Sequence, residues 1–100
     1  MNNEGYVGID RDANGGFTHI GRVIMDAWVF ELLPETETCA GWTPSQIQVL
    51  HDQVGAAWDR HGQPPSRLPE PYLSRHQRIY AAAMARGRQR GWNPELADED

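Results

Sequence analysis

Residues 20 to 33 read IGRVIMDAWVFELL, and ten of these fourteen positions are apolar. A segment like this cannot rest on a surface with one face in water, so the rest of the chain must be arranged around it. Fourteen residues is long for one strand, and Thr18 is a suitable N-cap, so the sequence predicts a helix over about residues 19–33 that Pro34 closes. Apolar side chains around almost the whole circumference mark either a central helix packed on several sides or one that also meets a partner.

The strongest local signal follows at Thr43-Pro44-Ser45-Gln46. Thr accepts from the N3 amide, Pro needs no donor at N1, and Gln46 reaches back as the other half of a capping box. A second helix is therefore predicted over 44–61, with Ile47, Leu50, Val54, Trp58 and His61 as its inward stripe and Gly62 as its stop. Gly55 inside it costs about 1 kcal/mol relative to Ala, which close approach of another helix would explain. The proline-rich run at 63–71 is a stiff connector. A third helix is predicted over 70–90, with Leu73, His76, Tyr80, Ala83, Met84 and Gly87 facing inward, Gly91 at C′, and Trp92 folding back on the stem of Arg86. Residues 1–18 hold four Gly and little helical pattern, so they read as an extended arm with a short strand at Gly5 to Ile9. The expected architecture is all-α: a small three-helix domain at 19–92, an extended Gly-rich N-terminal arm, and a disordered acidic C-terminal tail at 93–100.

One hundred residues suffice for a single core without staples. Cys39 is the only cysteine, so packing rather than a disulfide must hold the fold. The N-terminus lacks a basic start followed by an apolar run, and no apolar stretch approaches the roughly 20 residues that cross a bilayer. The expectation is a cytoplasmic protein without membrane contact. Net charge is -5 but uneven: residues 70–92 carry five Arg against one acid, while the rest is acidic. All nine basic residues are Arg, whose forked guanidinium suits carboxylate and phosphate partners.

Several patterns carry candidate chemistry. Asp10-x-Asp12-x-Asn14-Gly15 resembles the opening of an EF-hand calcium loop, with the Gly16 carbonyl and Phe17 also in place. Such a loop closes with a bidentate Glu at its twelfth position; here that position is Gly21. The resemblance covers six residues and implies at most a weak metal site at Asp10, Asp12 and Asn14, against the competing reading of a tight Asn-Gly-Gly turn. Cys39 is a candidate reactive thiol, the dipole of the second helix being its only visible activator. Arg75, Arg78, Arg86 and Arg90 fall within about one third of the third helix's circumference, which suits nucleic acid or, with less conflict against the net charge, an acidic protein surface. Trp42, in a loop, and Trp92, after the last helix, are candidate interface anchors.

There is no serine elbow, phosphate-cradling glycine loop, carboxylate pair or dense metal-ligand set, which argues against an enzyme and calls for no cofactor. The leading expectation is a protein-binding adaptor or regulator. Its surface would combine the surplus apolar face of the first helix with Trp42 and Trp92, bordered by Arg75, Arg78, Arg86 and Arg90. Self-association through the same face is the related reading. A weak calcium or metal sensor and a nucleic-acid binder are the alternatives.

Overall fold

The structure, a computed structural model, describes residues 5–62 and 65–92, so the acidic tail expected at 93–100 lies outside the described residues. Three helices form the body: α1 at His19–Val29, α2 at Pro44–His61 and α3 at Tyr72–Gln89. Short 3₁₀ turns at Ile9–Arg11, Ala13–Gly16 and Pro65–Arg67 complete the regular structure, and no strand occurs among the described residues. The arm does not form the short strand expected at Gly5 to Ile9. It pairs by isolated backbone bonds with the loop before α2: Tyr6 N–H donates to Trp42 O (2.9 Å), Gly41 N–H to Tyr6 O (2.7 Å) and Ile9 N–H to Thr38 O (3.1 Å).

The apolar segment becomes the central element. Ile24, Met25, Ala27 and Val29 of α1 have no exposure at all, and Val23 and Trp28 are also buried. Leu50, Val54 and Ala57 of α2 cover one side of it and Ile79 and Ala83 of α3 another, with Ile9 of the arm joining the same cluster. The surplus apolar face is thus consumed inside the fold. It is not the open docking surface that the sequence also allowed.

Helix α1 ends four residues earlier than its apolar pattern suggests. Glu31 adopts the left-handed conformation at φ 62, its amide donates to Trp28 O (3.2 Å), and the Leu32 amide reaches back to Ala27 O (2.8 Å). These two bonds form a Schellman closure without glycine. Arg75 of α3 makes the stop firm, because its Nη1 donates to the Val29 carbonyl at 2.7 Å. Leu32 and Leu33 then pack partly buried on the core as loop residues.

The start of α2 is as the sequence predicts: Gln46 N–H donates to Thr43 Oγ1 (3.2 Å) and Thr43 N–H to Gln46 Oε1 (2.8 Å). Helix α3 begins at Tyr72, two residues after the expected start, with the Glu70 carboxylate receiving the Ser74 amide and hydroxyl. Gly91 closes it at φ 90, with Trp92 N–H bonded to Gly87 O at 2.9 Å. Trp92 lies over Gly87 and stacks on Phe17 (centroids 4.9 Å apart, 27° between planes) instead of folding on Arg86.

Close backbone approach is required at Gly15 and Gly87, not at Gly55. A Cβ on Gly15, whose φ is +69, would stand 2.5 Å from the Gly87 nitrogen, whereas one on Gly55 would meet nothing within 4 Å. The 3₁₀ turn thereby docks directly on α3, and the mid-helix glycine of α2 faces open space. Gly55→Ala is therefore expected to gain about 0.5 to 1 kcal/mol of stability from helix propensity. Gly15→Ala should lose at least about 2 kcal/mol through left-handed strain and overlap with α3. Urea unfolding of the two variants checks this; a loss at Gly55 or tolerance at Gly15 would contradict the contact assignment.

Candidate functional site

The DRDANG loop is organised around one carboxylate. Asp12 Oδ2 accepts from the Tyr6 hydroxyl (2.5 Å) and the Thr18 hydroxyl (2.6 Å), and Oδ1 from the Ala13 amide (2.7 Å). Thr18 Oγ1 in turn accepts from the Gly21 amide as the N-cap of α1. A single side chain thus ties arm, turn and helix start together. Burial alone would raise the Asp12 carboxyl pKa, but the bonds from Thr18, Tyr6 and the Ala13 amide outweigh it and hold it below the usual aspartate value. Asn14 sits in the left-handed region at φ 57, as a tight turn requires. Asp10 contributes its backbone carbonyl to the Arg90 Nη2 at 2.7 Å. The carboxylate at the centre of the calcium-like pattern is therefore bonded to the protein itself, and among the described residues no three His, Cys, Asp or Glu side chains gather as a metal-ligand set.

The expected arginine face is largely turned to internal work. Arg75, 17 % exposed, caps α1 and reaches Glu31 at 3.3 Å. Arg78 forms a forked pair with Glu35 at 2.9 and 2.8 Å, which holds that carboxyl below its ordinary pKa. Arg90 binds the carbonyls of Asp10 and Asp12. Arg86 is half-buried beside Gly87. Arg75, Arg78 and Arg90 thereby lock loops onto the end regions of α3.

Cys39 has no exposure and adopts φ 64. Burial, helped by the charge of Glu37, pushes its thiol up to about 11. The four histidines are engaged with other rings: His61 stacks on Phe30, His76 on Tyr80, and His19 faces His51. The dipole of α2 does not activate this thiol.

Trp42 is half-buried, packed against the core with a definite surround. On one side lies a hollow of about 310 Å³ whose apolar walls are Tyr6, Ile20, Val23, Trp42, Pro44 and Ile47. On the other lies one of about 260 Å³ bounded by Leu33, Trp42, Val49 and Leu50. The remaining described lining residues are glycine, glutamine and histidine, so neither hollow carries a carboxylate or a guanidinium. Val49, which lines the second hollow, is 57 % exposed.

A second constellation escaped the sequence reading. Asp26 of α1 accepts from Trp58 Nε1 of α2 (3.1 Å, at Oδ2) and from the Tyr80 hydroxyl of α3 (2.6 Å, at Oδ1), so one carboxylate joins all three helices. Burial pushes its pKa above the ordinary value despite these bonds, and pushes Tyr80 up as well. His76, stacked on Tyr80 with centroids 4.3 Å apart, is lowered by burial, which Asp26 only partly offsets. The available signal was the lone Asp inside the segment that had to be covered on every side: a carboxylate there needs donors from its neighbours. Compared with known proteins, the chain matches no family model, no curated protein and no solved structure at a significant level.

Two tests follow from these environments. Asp12→Ala should cost about 2 to 3 kcal/mol at neutral pH, since two hydroxyls lose a charged acceptor. Because the folded pKa of Asp12 lies below its unfolded value near 3.8, this contribution is present above that value and is lost as pH falls through the folded one. Urea unfolding near pH 7 and at about pH 2.5 should show the gap shrinking in acid; an unchanged gap would mean that charge plays no part. Separately, a thiol reagent near neutral pH should leave native Cys39 unlabelled and react fully in denaturant. Rapid native labelling would contradict its burial.

Proposed function

We propose that this chain is a non-enzymatic adaptor or regulator that binds another protein across the Trp42 face, and that the occupant is an amphipathic helix with an uncharged apolar side. The observation that carries the reading is Trp42 itself, a large aromatic standing between two apolar hollows that have no formal charge in their described lining. Amphipathic aromatics in such settings concentrate binding energy, because they bury much area at little conformational cost. The hollows flank the first turns of α2, Ile47 and Gln48 facing one and Gln46 and Val49 the other. A helix laid across them places successive apolar anchors on either side of the indole.

Charge complementarity favours this occupant over the acidic surface expected from the sequence. An acidic partner needs cations at the contact, but Arg75, Arg78 and Arg90 already serve Glu31, Glu35 and backbone carbonyls. The glutamines at the rim suit the polar flank of a neutral helix.

The reading is tested by placing a photo-crosslinking p-benzoylphenylalanine at Val49 and, as a control, at Arg86 in the native cell, then mapping the attached peptide. A segment with an apolar helical stripe crosslinked from position 49, surviving high salt, is expected. Trp42→Ala and Val49→Glu should each weaken the isolated interaction at least about tenfold, the second without touching the core. Crosslinks from position 86 alone, salt-sensitive capture, or self-crosslinking to a second copy would overturn the proposal.

A further inference from the structure

Arg22 and Asp26 stand one turn apart on α1, a spacing at which opposite charges ordinarily close on each other. Here they are not joined in an ion pair. Asp26 is drawn inward by Trp58 and Tyr80, one donor on each oxygen, while the Arg22 guanidinium carbon lies 5.8 Å from the centroid of the Phe17 ring. Both groups line one hollow of about 400 Å³, with Trp58, Pro65, His76 and Tyr80 as its other described walls. The walls are aromatic and ordered among themselves: His76 stacks on Tyr80, and Trp58 meets His76 edge-on at 6.2 Å.

This arrangement selects by charge. A simple cation is repelled by Arg22, and a simple anion by Asp26. Each carboxylate oxygen receives one protein donor and retains capacity for another, and the guanidinium enters no hydrogen bond with another described side chain. The aromatic faces add attraction for an ammonium group and bury an apolar substituent. We infer that this hollow binds a small zwitterion of the α-amino acid class, with the ammonium donating to Asp26, the carboxylate accepting from Arg22, and the side chain against Trp58 and His76. Desolvation of Asp26, which already raises its pKa, is offset when the ammonium arrives. The site lies on a different flank of α1 from the Trp42 face and does not rest on the protein-binding reading.

The indole N–H of Trp58 reports on the site directly, since it is bonded to Asp26. Its NMR cross-peak is followed while full-length protein is titrated with L-phenylalanine, N-acetyl-L-phenylalanine and 2-phenylethylamine. A saturable shift with L-phenylalanine is expected at a dissociation constant on the order of 1 mM, the range for so small a ligand. Removing either charge from the ligand should weaken it at least about tenfold. Arg22→Gln, at an exposed position, should do the same while the remaining spectrum stays native, and Asp26→Asn serves as the complementary variant. No saturable shift, equal binding of all three compounds, or shifts confined to Trp42 would each overturn the assignment.

Discussion

The fold turns on the carboxylate of Asp26. A helix as apolar as α1 can be covered by other helices in many rotational settings, because smooth hydrocarbon surfaces specify contact without specifying register. A single inward carboxylate removes that freedom, since its two oxygens are satisfied only when Trp58 of α2 and Tyr80 of α3 arrive together. Any rotation of either helix leaves a part-buried acceptor or donor without its partner, at a cost of about 1 kcal/mol. The raised pKa of Asp26 shows that desolvation exceeds what the two bonds return to the ionised form. Ionised Asp26 therefore lowers stability in exchange for a unique arrangement, and this cost is relieved as pH falls from the folded pKa toward the unfolded one.

Asp12 performs the opposite bookkeeping at the other end of α1. Its three donors depress its pKa, so its charge stabilises the fold at neutral pH. Both carboxylates tie segments distant from one another in the chain: Asp26 pairs with residues 32 and 54 positions away, and Asp12 brings Tyr6 to the N-cap of α1. The calcium-like spelling of the loop follows from the same chemistry. Short acids and amides beside glycine supply oxygens to a metal when turned outward, and to hydroxyls and amides of the chain when turned inward. Spacing alone cannot distinguish the two, because the deciding donors, Tyr6 and Thr18, lie outside the motif.

Features set by neighbouring residues were legible, and those set by distant ones were not. The capping box of α2 is closed between Thr43 and Gln46, and the stop of α3 needs only Gly91, so both could be read directly. The end of α1 depends on Arg75, 46 positions onward, which claims the Val29 carbonyl. No pattern within 20–33 contains that information. Gly55 and Gly87 look alike as glycines in helices, yet only the second is pressed by another backbone. That the helix was apolar all round was evident; that the fold itself, and not a partner, covers it required knowing where the arm runs.

The arginine stripe and the uncharged Trp42 face are consequences of one distribution. Periodicity placed four arginines on one side of α3, but a side of a helix becomes a surface only if no loop lies over it. The segment after α1 brings Glu31 and Glu35 to Arg75 and Arg78, and the N-terminal turn brings its carbonyls to Arg90. Forked guanidinium groups suit this work, since each binds a carboxylate or backbone carbonyls in fixed geometry where an ammonium would act as a point charge. Charge drawn to those seams anchors loops at the ends of α3. It leaves the flanks of the first turns of α2 without formal charge in their described lining, and there an indole held by the arm's backbone pairing stands between two apolar hollows.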